Sequence, residues 1–127
     1  MIQELNRFMK QYEDATNSHC FDNVAELITQ GAVYIFSDGT YCGMDAIRAV
    51  FNRNWDTIKE ETYRIENVQW VSLAEDTAVC VYEFHWQGYE QGVFKQGGGR
   101  GTNALVRKDW RWYILHEHLS AHPEPSV

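Results

Sequence analysis

His116 and His118 lie near the end of the chain with Glu117 between them, inside the apolar run WYILHEHLS at residues 112–120. Side chains two residues apart share a face only on an extended strand, where alternate residues point the same way. Paired imidazoles suit metal binding, proton transfer or the polar lining of a pocket, and hydrogen-bonded core histidines give the same pattern. The pair is the first candidate site.

A regular strand would divide this run into two faces. One face would carry Trp112, Ile114, His116, His118 and Ser120. The other would carry Tyr113, Leu115, Glu117 and Leu119. Both faces are apolar enough to be covered, and we expect the histidine face to line the interior, with Glu117 pointing away from it. A slip of one residue in register would reverse every one of these assignments.

A metal site at the two histidines would need a third ligand from elsewhere, and His85, Glu83 and Asp38 are the candidates. No residue at local spacing supplies that ligand. We therefore predict no metal and no cofactor. The histidines are predicted to line a pocket, with general acid–base catalysis as their chemical role in an enzyme.

Composition narrows the class of protein. The chain has 127 residues, 44% of them hydrophobic and 14% aromatic, which predicts one domain at 1–122 followed by a tail at 123–127. A net charge of −7 without a basic stripe argues against nucleic-acid binding. Three cysteines without a paired motif, no signal peptide and no membrane-spanning run favour a cytoplasmic protein.

Periodicity predicts a helical first half and a strand-rich second half. Helices are predicted at 2–16, 23–29 and 44–59. Strands are predicted at 32–36, 62–73, 77–87, 101–108 and 110–120. Asp22 is expected to cap the second helix, a turn is expected at 37–43, and a flexible glycine-rich hairpin loop is expected at 88–99. The order α-α-β-α-β-β-β-β is typical of an α+β domain.

Aromatic residues are the other conspicuous feature of the strands and of the third helix. On the strand at 77–87, the more apolar face is predicted to point inward, and it comprises Cys80, Tyr82, Phe84 and Trp86. Trp55, Trp86 and Trp112 could form an aromatic cage for a flat ligand, although such residues more often pack in a core.

The segments GAVYIFSDGTYCGMDAIRAVF at 31–51 and GTNALVRKDWRWYILHEHLS at 101–120, with the chain length and element order, resemble the nuclear transport factor 2-like superfamily. Within it the chain is similar to the SnoaL-like group and to the association domain of calcium/calmodulin-dependent kinase II. The resemblance implies a cystatin-like cone, in which three N-terminal helices pack on a strongly curved, mainly antiparallel sheet around a pocket. It also implies a homodimer formed through the outer sheet face. Members include enzymes, binding proteins and oligomerisation modules, so function needs separate arguments.

Ketosteroid isomerases of this superfamily need a base carboxylate on the first strand, with a helix-one tyrosine and a protonated acid forming an oxyanion hole. Here Tyr12 takes the position of the tyrosine, but Phe36 falls at the base and Gly101 falls near the acid. The chain is therefore not expected to be a ketosteroid isomerase.

SnoaL-type cyclases use an acidic residue in the cavity, for which Asp38, Glu83 and Glu117 are the candidates. Asp38 belongs to an Asp-Gly turn, and Glu83 is on the less apolar face of its strand. Because Glu117 is expected to point away from the histidines, none of the three is favoured. A dehydratase that works through histidine and tyrosine remains open.

We predict a protein that binds a small, mostly apolar organic molecule, either without catalysis or as a cofactor-independent cyclase, dehydratase or isomerase. The residues assigned to catalysis are His116, His118 and Tyr12, with the histidines moving protons and the tyrosine donating to an oxyanion. The residues assigned to ligand contact are Tyr34, Trp55 and Thr102. The alternative is an association module whose pocket is vestigial.

Overall fold

The computed structural model describes residues 1–122. Its helices are α1 (Ile2–Asn17), α2 (Phe21–Ala25) and α3 (Met44–Thr57). Its strands are β1 (Ile28–Phe36), β2 (Gly39–Cys42), β3 (Lys59–Leu73), β4 (Thr77–Glu90), β5 (Val93–Lys108) and β6 (Arg111–Ala121). The predicted tail at 123–127 lies outside the described residues.

All six strands form one sheet in the order β2-β1-β6-β5-β4-β3. Neighbouring strands are antiparallel except β1 and β6, which pair in parallel. The helices pack on one side of this curved sheet, and the buried apolar residues of both layers form a single core. The predicted α+β architecture is confirmed.

The two long helices are amphipathic. Leu5, Met9 and Tyr12 of α1 are almost fully buried, as are Ile47 and Val50 of α3. Their spacing of three and four residues puts each set on one helix face, so burying that face stabilises the helix against the sheet.

The structure corrects three predicted boundaries in the first half. The second helix ends at Ala25, and β1 begins at Ile28 inside the segment that was predicted as helix. The N-cap of the second helix is Cys20 rather than Asp22. The carboxylate of Asp22 instead accepts a hydrogen bond from Arg48 at 2.9 Å. The segment predicted as a turn contains β2, because a turn at Ser37 and Asp38 folds the chain back onto β1 as a hairpin.

The predicted glycine-rich loop at 88–99 is also wrong. Strands β4 and β5 continue through most of it and pair from Glu90 and Val93 onward, leaving only Gln91 and Gly92 as the turn. Both turn residues have positive φ, 52° and 79°, as a tight two-residue hairpin requires. The glycines at 97–99 are part of β5.

Two further observations concern the chain as a whole. Within residues 1–122, none of the helices is both long and apolar enough to cross a membrane. Cys20, Cys42 and Cys80 are all free thiols, and only Cys80 is buried.

Candidate functional site

Strand β6 contains a β-bulge that decides which side chains face the core. Ile114 pairs with Leu105, whereas His116 pairs with Ala104, so Leu115 is an extra residue on β6. An extra residue shifts the alternation of all positions that follow it. Glu117 is consequently buried, at 2% exposure, although Ile114 three residues earlier is buried as well.

The bulge overturns the expected face assignment of the histidines. His118 is exposed on the outer side of the sheet, and His116 is half-buried there, with Nδ1 2.7 Å from the carbonyl oxygen of Val33. Because that carbonyl can only accept, Nδ1 of His116 carries a proton. The two rings remain neighbours, with centroids 6.5 Å apart, but they do not line the interior.

The interior side of the sheet and the helices line a cavity of about 500 Å³ that opens to the surface. Its wall is rich in aromatic rings, which belong to Tyr12, Phe36, Phe51, Trp55, Tyr63, Phe84 and Trp86. Its carboxyl groups belong to Asp38, Glu61, Glu90 and Glu117. A cavity of this size and composition suits a small organic molecule held by apolar contacts and oriented by a few polar groups.

Glu117 is hydrogen-bonded within the core. Its Oε1 lies 3.2 Å from the hydroxyl of Tyr82, and that hydroxyl lies 2.9 Å from Oδ1 of Asn103. The single hydroxyl proton can go to either oxygen. A protonated Glu117 can donate to Tyr82 while Tyr82 donates to Asn103, and an ionised Glu117 can accept from Tyr82 instead.

Burial raises the pKa of Glu117 from 4.5 to about 7, and interactions with Tyr12, Asn103 and Tyr82 oppose part of this rise. Desolvation penalises the ionised carboxylate, and none of the basic residues within 1–122 forms a salt bridge that compensates for it. The group therefore changes protonation state close to neutral pH. This is the property required of a general acid or base.

Two further tyrosines complete the polar part of the core. The hydroxyls of Tyr12 and Tyr34 are 2.8 Å apart, and both residues are almost fully buried. Burial, reinforced by the negative charge of Glu117, raises the pKa of Tyr12, Tyr34 and Tyr82 well above 10. These hydroxyls therefore act as neutral hydrogen-bond donors and acceptors.

Glu61 provides a second carboxyl with a raised pKa. It lies on the cavity wall at the start of β3, and burial alone raises its pKa from 4.5 to about 7. His19 contacts its backbone carbonyl oxygen at 2.8 Å and stacks on Trp55. Helix α3 and the α1–α2 connection thus hold this side of the cavity.

The remaining two carboxyls of the cavity wall are paired with basic residues. Asp38 lies 3.0 Å from Arg53, and both contact the hydroxyl of Tyr41. Glu90 lies 3.3 Å from Lys95. Because each has a partner, these carboxyls contribute less negative potential to the cavity than Glu61 and Glu117.

The structure brings together only part of the predicted site. Tyr12 and Trp55 contribute to the cavity wall, and Tyr34 lies directly behind Tyr12. Thr102 is exposed on the outer sheet face beside His118, because it pairs with His118 across β5 and β6. The predicted ligand set is therefore divided between the two sides of the sheet.

The three tryptophans proposed as a cage also separate. Trp55 and Trp86 line the cavity. Trp112 is buried elsewhere and donates a hydrogen bond from Nε1 to Glu4 at 2.8 Å. The inward orientation predicted for Cys80, Tyr82 and Phe84 is confirmed by their burial.

Two of the candidate third metal ligands, Glu83 and His85, cluster with Glu66, and the third, Asp38, lies on the cavity wall. Side-chain ligand atoms of Glu66, Glu83 and His85 lie within 4.8 Å of one another on the outer face of β3 and β4. Glu66 also lies 3.7 Å from Arg64, and Glu83 accepts a hydrogen bond from Asn67. The contacts of this cluster are those of a solvated polar surface.

Sequence reasoning assigned no role to Asn103 or Glu61 and did not favour Glu117. Asn103 is fully buried, and its Nδ2 has no hydrogen-bond partner among the described residues. A signal for Glu117 was present, since a lone acid between apolar residues of a core strand is unusual. Its orientation depended on the bulge, which the sequence does not mark.

Comparison with known proteins identifies the family. The profile of the SnoaL-like domain matches residues 5–124. The chain belongs to the SnoaL-like domain family. A comparison with curated proteins gave no match.

Solved structures that match this SnoaL-like chain share its fold at low sequence identity. One is a nuclear transport factor 2-like superfamily protein from Salmonella enterica serovar Typhimurium, with a TM-score of 0.89, 16% identity, and coverage of 98% of this chain and 93% of that one. Another is described as a calcium/calmodulin-dependent protein kinase II association domain from Xanthomonas campestris. Its TM-score is 0.87 at 20% identity, and the match covers 98% of this chain and 90% of that one.

A third is a proposed aromatic ring hydroxylase from Novosphingobium aromaticivorans, with a TM-score of 0.83, 19% identity, and coverage of 92% and 85%. Other matches are described as having a cystatin-like fold, which confirms the predicted fold class. At these identities the likeness shows the fold alone. Proteins named as association domains and proteins named as enzymes both occur among the matches.

Proposed function

We propose that this SnoaL-like protein binds a small, mostly apolar organic molecule in its cavity and acts on it as a cofactor-independent lyase or isomerase. Glu117 would be the general acid or base. The observation that carries the proposal is a buried carboxyl at the cavity whose pKa is raised to about 7. Proton transfer by a group poised near the working pH contributes typically 10²–10⁴-fold to a rate.

The neighbouring hydroxyls fit this role. Tyr82 can stabilise either protonation state of Glu117, because its hydroxyl has a second acceptor in Asn103. The hydroxyl pair of Tyr12 and Tyr34 lies in the same core, and Tyr12 forms part of the cavity wall. Tyr12 would donate a hydrogen bond to an oxyanion that develops on the substrate.

A test that needs no knowledge of the natural substrate uses 4-phenylbutan-2-one in D₂O. A base in the cavity should speed deuterium incorporation next to the carbonyl group, which mass spectrometry measures. Glu117→Gln should reduce the protein-dependent rate by at least about 100-fold. Glu60→Gln on the surface and His118→Ala on the outer face should leave it unchanged, and loss of exchange in His118→Ala but not in Glu117→Gln would contradict the proposal.

A second candidate function is oligomerisation, favoured by the matching association-domain structure. The proposed homodimer would form through the outer sheet face, where Val79 and Val81 are half-buried and pair with Ala104 and Thr102. In that role the cavity would be vestigial. The cytoplasmic location remains a prediction.

A further inference from the structure

The charges of the cavity wall are all of one sign. Its lining residues include four carboxylic side chains and no Lys, Arg or His. Asp38 and Glu90 are neutralised by Arg53 and Lys95, whereas Glu61 and Glu117 form no salt bridge among residues 1–122. Residues 123–127 contain no basic side chain, so they cannot supply one.

The carboxyl groups of Glu61 and Glu117 therefore lie in a mostly apolar wall without a counter-charge. Removing a carboxylate from water costs free energy that only a cation or several hydrogen bonds can offset. Glu117 has the hydroxyl of Tyr82 nearby, but the side chain of Glu61 has no hydrogen bond among the described residues. Consistent with this, burial is the sole cause of the raised pKa of Glu61.

The rings near Glu61 are suited to a positive charge. Trp55, Tyr63 and Trp86 line the same cavity as Glu61, and Tyr63 stacks on Phe84 with centroids 6.0 Å apart. The faces of such rings carry negative potential and attract ammonium groups, and aromatic cages recognise alkylated ammonium ligands in this way. An anionic ligand would meet the same faces and the carboxyls unfavourably.

We propose that the ligand of this cavity is an aromatic or alkyl amine in its cationic form, with Glu61 as the counter-charge of its ammonium group. This inference rests on the proposed function, because it assigns Glu61 to binding and leaves Glu117 free for proton transfer. The apolar part of the ligand would contact the rings deeper in the cavity. Carboxylic and phosphorylated compounds would be excluded.

The test compares three probes of similar size: benzyltrimethylammonium, its uncharged isostere neopentylbenzene, and anionic 3-phenylpropanoate. Trp55 and Trp86 line the cavity, so quenching of tryptophan fluorescence reports binding. We expect the cation to bind about tenfold more tightly than the isostere, and the anion not to bind. Glu61→Gln, which preserves shape, should reduce the preference to what the rings alone supply, while leaving the affinity for neopentylbenzene unchanged.

Glu60→Gln is the matched control, since it removes the same charge from the neighbouring, exposed residue. Equal binding of the cation and the isostere by the unaltered protein would overturn the inference and leave the cavity proposal standing. A preference that is undiminished in Glu61→Gln would overturn the assignment of Glu61. Binding of none of the probes would count against both proposals.

Discussion

Glu117 has an unusual pKa because of its position in the fold rather than because of a charged partner. The folded chain holds the pKa at about 7, against an ordinary value of 4.5. Between these values the folded state binds more protons than the unfolded state. The contribution of Glu117 to the free energy of unfolding therefore falls as pH rises from about 4.5 to about 7. Glu61, whose pKa is also about 7, contributes with the same sign.

Replacing this carboxyl by an amide should remove its part of the pH dependence. Glu117→Gln cannot ionise, so above pH 7 it avoids the burial of a carboxylate. We expect it to be more stable than the unaltered chain at pH 8, by an amount on the order of 2–3 kcal/mol. At pH 4.5 the two should differ little. Urea unfolding at several pH values measures the difference, with Glu60→Gln as control, and a difference that does not grow with pH would refute the explanation.

At the scale of elements, hydrophobic periodicity predicted which faces are buried wherever buried and exposed residues alternate regularly. The helical stripe that contains Tyr12 and the inward face that contains Tyr82 are both buried as expected. The prediction failed at Leu115, because a bulge needs no particular residue type and both faces of β6 are apolar. One extra residue moved the histidines outward and Glu117 inward. The glycines at 97–99 led to a second error, because a run of glycines suggests a loop. Here they belong to a strand, β5, in which larger side chains would clash with neighbouring atoms.

Gly101 is a position in β5 where a side chain larger than hydrogen would clash with a neighbouring residue. A Cβ atom at Gly101 would overlap the ring of Tyr82, the residue that contacts Glu117. We expect Gly101→Ala to destabilise the fold by about 1–3 kcal/mol through overpacking, and to lower exchange activity by displacing Tyr82. Gly31→Ala is the control, because a methyl group at Gly31 would have no heavy atom within 4 Å beyond its own residue and its two chain neighbours. Urea unfolding of both variants measures the effect, and equal stability would show that the ring moves aside freely.

At the scale of the whole molecule, the cavity and the outer sheet face lie on opposite sides of one sheet. The residues that line the cavity lie between the helices and the inner side of the sheet. Binding and association are therefore separable in this architecture. A dimer formed through the outer face would bury the side of the sheet that is opposite the cavity and would supply no residue to the cavity wall.

Because the cavity and the outer sheet face are separate, a variant that disrupts the proposed dimer tests both the interface and the independence of the cavity. Val81 is half-buried on the outer face beside Thr102, so Val81→Arg should place a charge in the interface and yield monomers by native mass spectrometry. Val93→Arg, at the exposed β4–β5 hairpin, should remain dimeric. Because the cavity and the proposed interface lie on opposite sides of the sheet, the monomer should still bind benzyltrimethylammonium and exchange ketone protons. An unaltered chain that is monomeric would refute the interface, and loss of binding in the monomer would show that the cavity depends on assembly.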